Sequence, residues 1–225
     1  MLNSLFPEPV VSVVASDAMW DAPLHPHESK QMEKAVSKRR REFAAGRACA
    51  RAALERLGIV DAVLLSNPDR TPAWPASVVG SISHCDAYCA AAVALRTDVV
   101  SLGLDVESRG RVDRELLERI CNERERDALE ALASQDGEDW AAIFFSAKEA
   151  AYKCYFPITG AFLGFQDVEL RLEPARRCFE AILLREDAPS AHGVRNFHGR
   201  FSADEARVYT AVTLMPGEVQ GGSGA

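Results

Sequence analysis

The segment FFSAKEAAYK, residues 144–153, lies in the middle of a predicted helix that runs from about Trp140 to Tyr155. At 3.6 residues per turn, Glu149 and Lys153 are i,i+4 neighbours on one face of this helix. On a solvated face such a pair would contribute only about 0.2–0.5 kcal/mol. Apolar residues on both sides of the segment leave little of the helix free to face water, so its charged side chains need partners.

A second segment, SLGLDVE at residues 101–107, ends a predicted strand with two acidic residues. Side chains two positions apart share one face of a strand, so Asp105 and Glu107 point the same way while Val106 faces the core. Two neighbouring carboxylates repel each other unless a cation lies between them. Taken alone, the segment also fits an exposed strand end with ordinary solvated acids.

Together the two segments favour a metal site. The carboxylates of Asp105, Glu107 and Glu149 are hard oxygen ligands of the kind that Mg²⁺ prefers, and Mg²⁺ normally also binds substrate phosphate oxygens. Three carboxylates around one Mg²⁺ leave a net charge of about −1 by simple counting. A pyrophosphate bound there requires cations alongside, for which Lys148 and Lys153 are the candidates.

The segment GSISH, residues 80–84, closes a short predicted strand after a glycine. Ser83 and His84 could donate hydrogen bonds to a phosphate monoester. Equally, the histidine could cap or pack in an ordinary hairpin. A zinc site that includes His84 with the nearby cysteines is disfavoured, because the spacing fits no usual pattern and a fourth ligand is missing.

Basic residues are concentrated in KRRREFAAGRACAR, residues 38–51. Helical geometry would align Arg40, Arg47 and Arg51 along one stripe, and the alternative is a solvated helix face. Arg70, in the loop DRTPAWP, is a further isolated candidate for anion binding.

The remaining pattern predicts an α+β protein. Residues 28–57 are predicted to form one helix, with Ser29 as its cap and Gly58 as its stop, and residues 114–132 another. Strands are predicted at residues 78–83, 88–95, 99–106, 167–172, 178–185, 197–202 and 207–214. The chain is expected to form two halves, residues 1–100 and 101–215, followed by a disordered tail at residues 216–225.

Composition narrows the functional classes. The chain has 225 residues and a formal net charge of −7, which argues against sequence-independent nucleic-acid binding. No apolar run is long enough to span a membrane, and the N-terminus does not resemble a signal peptide. The six cysteines contain no CxxC pair, so reduced and mostly buried thiols are expected. These features predict a cytoplasmic protein, expected to be a monomer.

In this order and spacing, GSISH, GLDVE and FSAKEAAYK resemble the signature of 4′-phosphopantetheinyl transferases, and most closely the enterobactin-synthetase component D type. The similarity extends to the basic run, the DRTPAWP loop and YFPITGAFLGF, and so spans roughly residues 35–170. It implies a pseudo-dimer of two similar α+β halves, with the coenzyme A nucleotide in the N-terminal half and the metal and catalytic helix in the C-terminal half. It also implies Mg²⁺, for which Mn²⁺ can substitute, and an apo acyl or peptidyl carrier protein as acceptor.

The resemblance also implies roles for individual residues. It assigns Asp105, Glu107 and Glu149 to the metal. It assigns Ser83 and His84 to the 3′-phosphate of coenzyme A, Lys148 and Lys153 to the pyrophosphate, and Arg39 and Arg47 to the nucleotide; Arg70 is grouped with these cofactor-binding residues. Aromatic and aliphatic residues after the catalytic helix are expected to form an apolar docking patch for the carrier protein: Tyr155, Phe156, Ile158 and Phe162.

Two departures from the family pattern affect these assignments. Many surfactin-type relatives have a third acid where this chain has Val106, so a water molecule is expected to complete the metal shell. Helical geometry prefers Arg40 beside Arg47, whereas the family match selects Arg39.

The implied reaction is in-line displacement at the β-phosphorus of coenzyme A by a carrier serine, with 3′,5′-ADP as the leaving group. Glu149 or a metal-bound water acts as the base, and Lys153 stabilises the transferring oxygens. A metal-dependent nuclease and a carrier-docking protein with a decayed site are the two alternatives.

Overall fold

The computed structural model describes residues 2–133 and 137–219. The chain divides into two compact units, the first spanning Glu8–Val99 and the second formed by residues 2–7 and 100–219 among those described. Each unit packs a 20-residue helix against an antiparallel sheet, so the predicted α+β class is confirmed. The sheets differ in size, with three strands in the first unit and five in the second.

The first unit contains β1 (Val11–Val14), α1 (Pro26–Gln31), α2 (Ser37–Arg56), β2 (Val78–Cys85) and β3 (Tyr88–Leu95). The strand order is β1-β3-β2, and both pairings are antiparallel. The central strand β3 is rich in buried alanine, and alanines of α2 are buried as well. These small side chains allow the helix to lie close to the sheet. Strands β2 and β3 were predicted, whereas β1 was not.

The prediction of one helix over residues 28–57 is wrong, because α1 and α2 are separate helices. Helix α1 begins after His25, and not at Ser29. The His25 side chain accepts a hydrogen bond from the backbone of His27, and the His25 backbone donates to Glu28. This reciprocal arrangement resembles a capping box and satisfies amide groups that the first helical turn leaves unpaired.

The Glu28 side chain connects α1 to two other parts of this unit. It is fully buried, binds Arg51 of α2 at 2.9 Å and accepts a hydrogen bond from the Leu64 amide, also at 2.9 Å. These partners are distant in sequence, so local pattern alone could not reveal them. The predicted stop at Gly58 is confirmed, since Gly58 follows α2 with a φ of +79°, a conformation that favours glycine.

The second unit contains β4 (Ser101–Ser108), α3 (Arg114–Ile120), α4 (Glu123–Ala133), α5 (Trp140–Thr159), β5 (Val168–Glu173), β6 (Cys178–Leu183), β7 (Asn196–Ala203) and β8 (Arg207–Leu214). The strand order is β4-β8-β7-β6-β5, with every pairing antiparallel. Each of these strands lies within two residues of its predicted bounds. Part of the predicted disordered tail is ordered, because Pro216–Glu218 forms a 3₁₀ turn; residues 220–225 lie outside the described residues.

A capping arrangement divides the predicted helix at residues 114–132 into α3 and α4. The Asn122 side chain accepts a hydrogen bond from the Glu125 amide at 2.9 Å, and Glu125 accepts one from the Asn122 amide at 2.8 Å. Asparagine is a favoured helix cap, and a Glu three residues later completes a capping box. The sequence therefore carried a local signal for this second helix start.

Helix α5 lies across β4 and β8 and is fixed there by side chains of both strands. The Ser101 hydroxyl donates to the Cys154 carbonyl at 2.6 Å, and the Thr210 hydroxyl donates to the Ser146 carbonyl at 2.8 Å. Between these anchors, a Cβ atom on Gly103 would overlap the Ala150 carbonyl oxygen and lie 2.7 Å from the Cys154 amide nitrogen. Only glycine permits this close approach of helix and strand.

The six cysteines are free, and four of them are buried, which confirms the expectation of reduced and mostly buried thiols. Among the described residues, no helix combines the length and apolar character needed to cross a membrane.

We predict that Gly103→Ala destabilises the protein by about 3 kcal/mol or more, because the added methyl group meets backbone atoms that cannot move independently. Gly217→Ala is the matched control, since a Cβ there has no atom within 4 Å, and we expect it to change the free energy of unfolding by less than about 0.5 kcal/mol. Urea unfolding of the two variants measures the difference. Equal stabilities would show that α5 can move away from β4 at little cost.

Candidate active site

The odd-numbered residues of β4 face α5, as Ser101 and Gly103 show. Asp105 lies on this face with its side chain buried, and Glu107 follows it two residues later, half-buried. The Lys153 ammonium of α5 donates to Asp105 Oδ1 at 2.6 Å. The intervening Val106 is buried on the opposite face of the strand. A third acid at position 106 would therefore point away from α5.

The electrostatics of Glu149 show that three carboxylates share one region. Burial raises the pKa of Glu149 above its usual range, and the negative charges of Asp105 and Glu107 raise it further. The positive charge of Lys153, one helical turn away, opposes these effects. The structure therefore brings together four of the five charged residues that the two segments singled out in this unit, and Lys148 is the exception.

This donor set suits a hard divalent cation in its chemistry, because carboxylate oxygens are the ligands that Mg²⁺ prefers. Lys153 offsets part of the negative charge of these acids. Among the described residues, however, no three His, Cys, Asp or Glu side chains are already arranged around a common point. The three carboxylates are therefore neighbours whose oxygen atoms and negative charge suit Mg²⁺.

Lys148 lies apart from this cluster. Its side chain is 2% exposed, and its ammonium donates to the carboxylate of Glu125 at 2.7 Å. It also donates to three backbone carbonyls at 2.7–2.8 Å, those of Ile120, Phe165 and Val168. Burial lowers the pKa of Lys148, and the carboxylate of Glu125 opposes this effect. The structure does not place Lys148 beside Lys153, as their shared assignment to a pyrophosphate had implied.

A cavity of about 140 Å³ lies beside Glu149. One wall is formed by α5, through Lys148, Glu149 and Tyr152, and the other by the segment that links α5 to β5. That segment contributes Phe162, Leu163, Gly164 and Phe165, and the first residue of β5, Val168, completes the wall. The cavity is mostly apolar and has one carboxylate at its edge.

The expected apolar patch after α5 is only partly at the surface. Phe162 is 70% exposed, with its ring edge-to-face against Tyr152 at 6.0 Å. Phe156 and Ile158 are half-buried. Tyr155 is fully buried, and its hydroxyl donates to the Pro189 carbonyl. The expectation that Tyr155 belongs to a docking surface is therefore wrong, because Tyr155 belongs to the core.

In the first unit, His84 lies next to Arg39. A guanidinium nitrogen of Arg39 is 2.8 Å from His84 Nε2, and the carboxylate of Glu42 is 3.4 Å from Arg39 and 3.9 Å from His84 Nδ1. Because arginine can only donate, Nε2 accepts, which assigns the proton of the neutral ring to Nδ1 on the side of Glu42. Sequence reasoning missed Glu42, although it stands three residues after Arg39.

Ser83 lies on the other face of β2. Gly46 of α2 would meet Ile82 at 3.0 Å if it carried a Cβ, so the even-numbered residues of this strand, including His84, face α2. Ser83 is buried on the opposite face. The structure therefore does not place the two expected phosphate donors side by side.

The predicted arginine stripe contributes to the fold. Arg40 donates to the carbonyls of Glu33 and Ala35, which hold the turn before α2. Arg51 binds the buried Glu28. The family match selects two arginines of this run, Arg39 and Arg47. Their contacts differ from those of Arg40.

Arg47 is buried and Arg70 is exposed. The Arg47 guanidinium donates to the Leu64 carbonyl at 2.6 Å and to the Ser66 hydroxyl at 3.0 Å, and it stacks on Phe43 at 4.1 Å. Burial lowers the pKa of Arg47 to about 10, so it remains charged at neutral pH. Arg70 lies on a surface turn with a φ of +71°.

Comparison with known proteins identifies the family. A model of the 4′-phosphopantetheinyl transferase N-terminal domain matches residues 27–94, and a model of the 4′-phosphopantetheinyl transferase superfamily matches residues 101–209. The chain is 40% identical over 210 residues to the 4′-phosphopantetheinyl transferase Svp of Streptomyces mobaraensis, a match that covers 89% of this chain and 85% of the relative. This chain belongs to the 4′-phosphopantetheinyl transferase superfamily.

Other members of the superfamily match over most of the chain. The 4′-phosphopantetheinyl transferase PptT of Mycobacterium tuberculosis is 33% identical over 216 residues, or 94% of each chain. Enterobactin synthase component D of Escherichia coli K12 is 36% identical over 156 residues, or 68% of this chain and 69% of the relative. The resemblance stated from the motifs is thus confirmed, and the chain is a transferase.

Proposed function

We propose that this transferase moves the 4′-phosphopantetheine arm of coenzyme A onto a serine of an apo acyl or peptidyl carrier protein, with Mg²⁺, and releases 3′,5′-ADP. The carrier domains of siderophore, nonribosomal peptide and polyketide synthases are the proposed acceptors. The observation that carries the proposal is the cluster of Asp105, Glu107, Glu149 and Lys153 in a member of this superfamily.

Bound Mg²⁺ would neutralise the negative charge that develops on the phosphates. Asp105, Glu107 and Glu149 are proposed to hold it. Lys153 forms an ion pair with Asp105 in this structure. In the reaction it would orient the phosphoryl oxygens. Glu149 or a metal-bound water would accept the proton of the attacking serine hydroxyl.

Arg39 and His84 are proposed to bind a phosphate of the nucleotide. Arg39 is half-exposed and can supply a charge-assisted hydrogen bond to an anion. Glu42, whose carboxylate is 3.4 Å from Arg39, would help to orient the guanidinium group. The assignments of Arg47, Arg70 and Ser83 to coenzyme A remain predictions.

The test is the mass of an apo carrier protein after incubation with the enzyme, coenzyme A and Mg²⁺. We expect a gain of one phosphopantetheine per carrier, loss of the gain in excess EDTA, and its recovery with added Mg²⁺ or Mn²⁺. A DNA substrate in a parallel reaction should remain intact. An unmodified carrier beside cleaved DNA would favour the nuclease alternative, and no change in either substrate would favour a docking protein.

Neighbouring arginines test the nucleotide assignment. We predict that Arg39→Ala raises the KM for coenzyme A roughly tenfold or more, since a lost charge-assisted contact costs about 1.5–3 kcal/mol. Arg40→Ala is the matched control. It should leave this KM nearly unchanged and lower the free energy of unfolding by about 1 kcal/mol, because its partners are backbone carbonyls. The opposite pattern of KM values would mean that the assignment is off by one residue.

Phe162 tests the acceptor surface. The proposed carrier proteins are acidic helical bundles, and this enzyme carries a net charge of −7, so long-range attraction does not explain their association. An exposed aromatic side chain beside the cavity at Glu149 is the kind of residue that dominates interfaces.

We predict that Phe162→Ala raises the KM for the carrier protein roughly fivefold or more, as loss of an aromatic anchor costs about 1–2 kcal/mol. The KM for coenzyme A should not change. Val60→Ala, which shortens a side chain that is 67% exposed in the first unit, is the control and should affect neither constant. A steep loss of carrier affinity with salt, together with an unaffected Phe162→Ala variant, would instead indicate docking through charge.

A further inference from the structure

The ammonium group of Lys148 is saturated by its own protein. Its four acceptors, at 2.7–2.8 Å, are the Glu125 carboxylate and the carbonyls of Ile120, Phe165 and Val168. A lysine ammonium carries three protons and no acceptor. Four acceptors already exceed three donors, so one proton is shared and none is left for a phosphate oxygen.

The partner of Lys148 is equally engaged. Glu125 is fully buried, and its carboxylate accepts hydrogen bonds from the Leu170 amide at 2.7 Å and from the Asn122 amide at 2.8 Å, in addition to Lys148. A buried ion pair is tolerated when hydrogen bonds satisfy the remaining lone pairs and protons, as they do here. Replacing Lys148 would leave a buried carboxylate and three carbonyls without their cation.

The pair joins four pieces of the second unit to α5. Through Lys148 and Glu125, α5 is connected to the end of α3, the start of α4, the outer edge of β5 and the segment between α5 and β5. The Phe165 carbonyl belongs to that last segment and the Val168 carbonyl to the first residue of β5, and both residues line the far wall of the cavity beside Glu149. The next residue along α5 is Glu149 itself, on the near side of the same cavity.

We propose that Lys148 and Glu125 form a positioning pair that fixes the far wall of this cavity relative to Glu149, and that Lys148 does not contact coenzyme A. The inference rests on the proposed function, because it assumes that part of a substrate occupies this cavity and reaches Glu149. Lys153, by contrast, lies at the acid cluster with its side chain 28% exposed and is the lysine of this helix that meets phosphate.

Three variants and a control test the proposal: Lys148→Met, Glu125→Gln, the double variant, and Lys153→Met. Methionine keeps the stem of Lys148 without its charge, and glutamine keeps the shape of Glu125. Calorimetry gives the Kd for coenzyme A, thermal melting gives the Tm, and steady-state kinetics gives kcat and the KM for the carrier protein. All assays are run well below the Tm of each variant, with folding checked by circular dichroism.

We expect both single variants to reduce kcat/KM for the carrier protein at least tenfold while the Kd for coenzyme A stays within twofold. Lys153→Met should raise that Kd at least tenfold. The Tm should fall by roughly 10 °C in Lys148→Met, because an uncompensated buried charge remains. It should fall no further in the double variant, because the two residues act as one unit. If Lys148→Met does not fold, Glu125→Gln still decides, since it leaves the three carbonyl contacts of Lys148 in place.

Two results would overturn the proposal. A tenfold rise in the Kd for coenzyme A in Lys148→Met, without one in Glu125→Gln, would make Lys148 a ligand-binding residue. A lower Tm with unchanged kcat/KM would reduce the pair to a purely structural role. Failure of the proposed function is a separate result, because the wild-type enzyme would then transfer nothing to the carrier protein.

Discussion

The close approach of α5 to β4 at Gly103 is the constraint on which the candidate site depends. Because residue 103 has no side chain, the helix backbone rests on the strand backbone, and the hydroxyl of Ser101 can bond to the Cys154 carbonyl at 2.6 Å. Two residues further along the strand, the same spacing places Asp105 within 2.6 Å of Lys153. A larger residue at 103 would separate the acids of the strand from the charged residues of the helix.

The two lysines of α5 show why helical angle matters more than composition. Glu149 and Lys153 are four residues apart, or about 40° around the helix, and so share a face. Lys148 and Lys153 are five residues apart, or about 140°, and so point in different directions. This angle was available in the sequence. Grouping both lysines at one pyrophosphate rested on their charge and on the family resemblance, and did not take this angle into account.

Most of the fold could be predicted from sequence, because it depends on local signals. The strand at residues 207–214 has its predicted bounds, and helix α5 begins at Trp140 as expected. The predictions failed where contacts between residues distant in sequence determine the local structure. Glu28 is buried by Arg51 and Leu64, and β1 is stabilised by pairing with β3, contacts that no local pattern reveals.

The candidate site likewise has features that the sequence predicts and features that only the structure reveals. The acid cluster was predictable because strand alternation and helical spacing each place its members on a known face. The separation of Ser83 from His84 also follows from strand alternation, and the motif match obscured it. Glu125 was not selected, although an Asn three residues before a Glu is a recognisable helix start. Its second role, as partner of Lys148, is visible only in three dimensions.

The two ion pairs of α5 differ in their surroundings, and this difference distinguishes a structural pair from one at the candidate site. At Lys148 and Glu125, each charge is buried and its hydrogen-bonding capacity is taken up by backbone groups, so the pair is complete without a ligand. At Asp105 and Lys153, the ion pair belongs to a region with three carboxylates, and burial, together with the charges of Asp105 and Glu107, raises the pKa of Glu149. An arrangement with excess negative charge is costly in a folded protein, and such costs persist mainly at functional sites. A bound divalent cation would relieve that excess, whereas no ligand could improve the surroundings of Lys148.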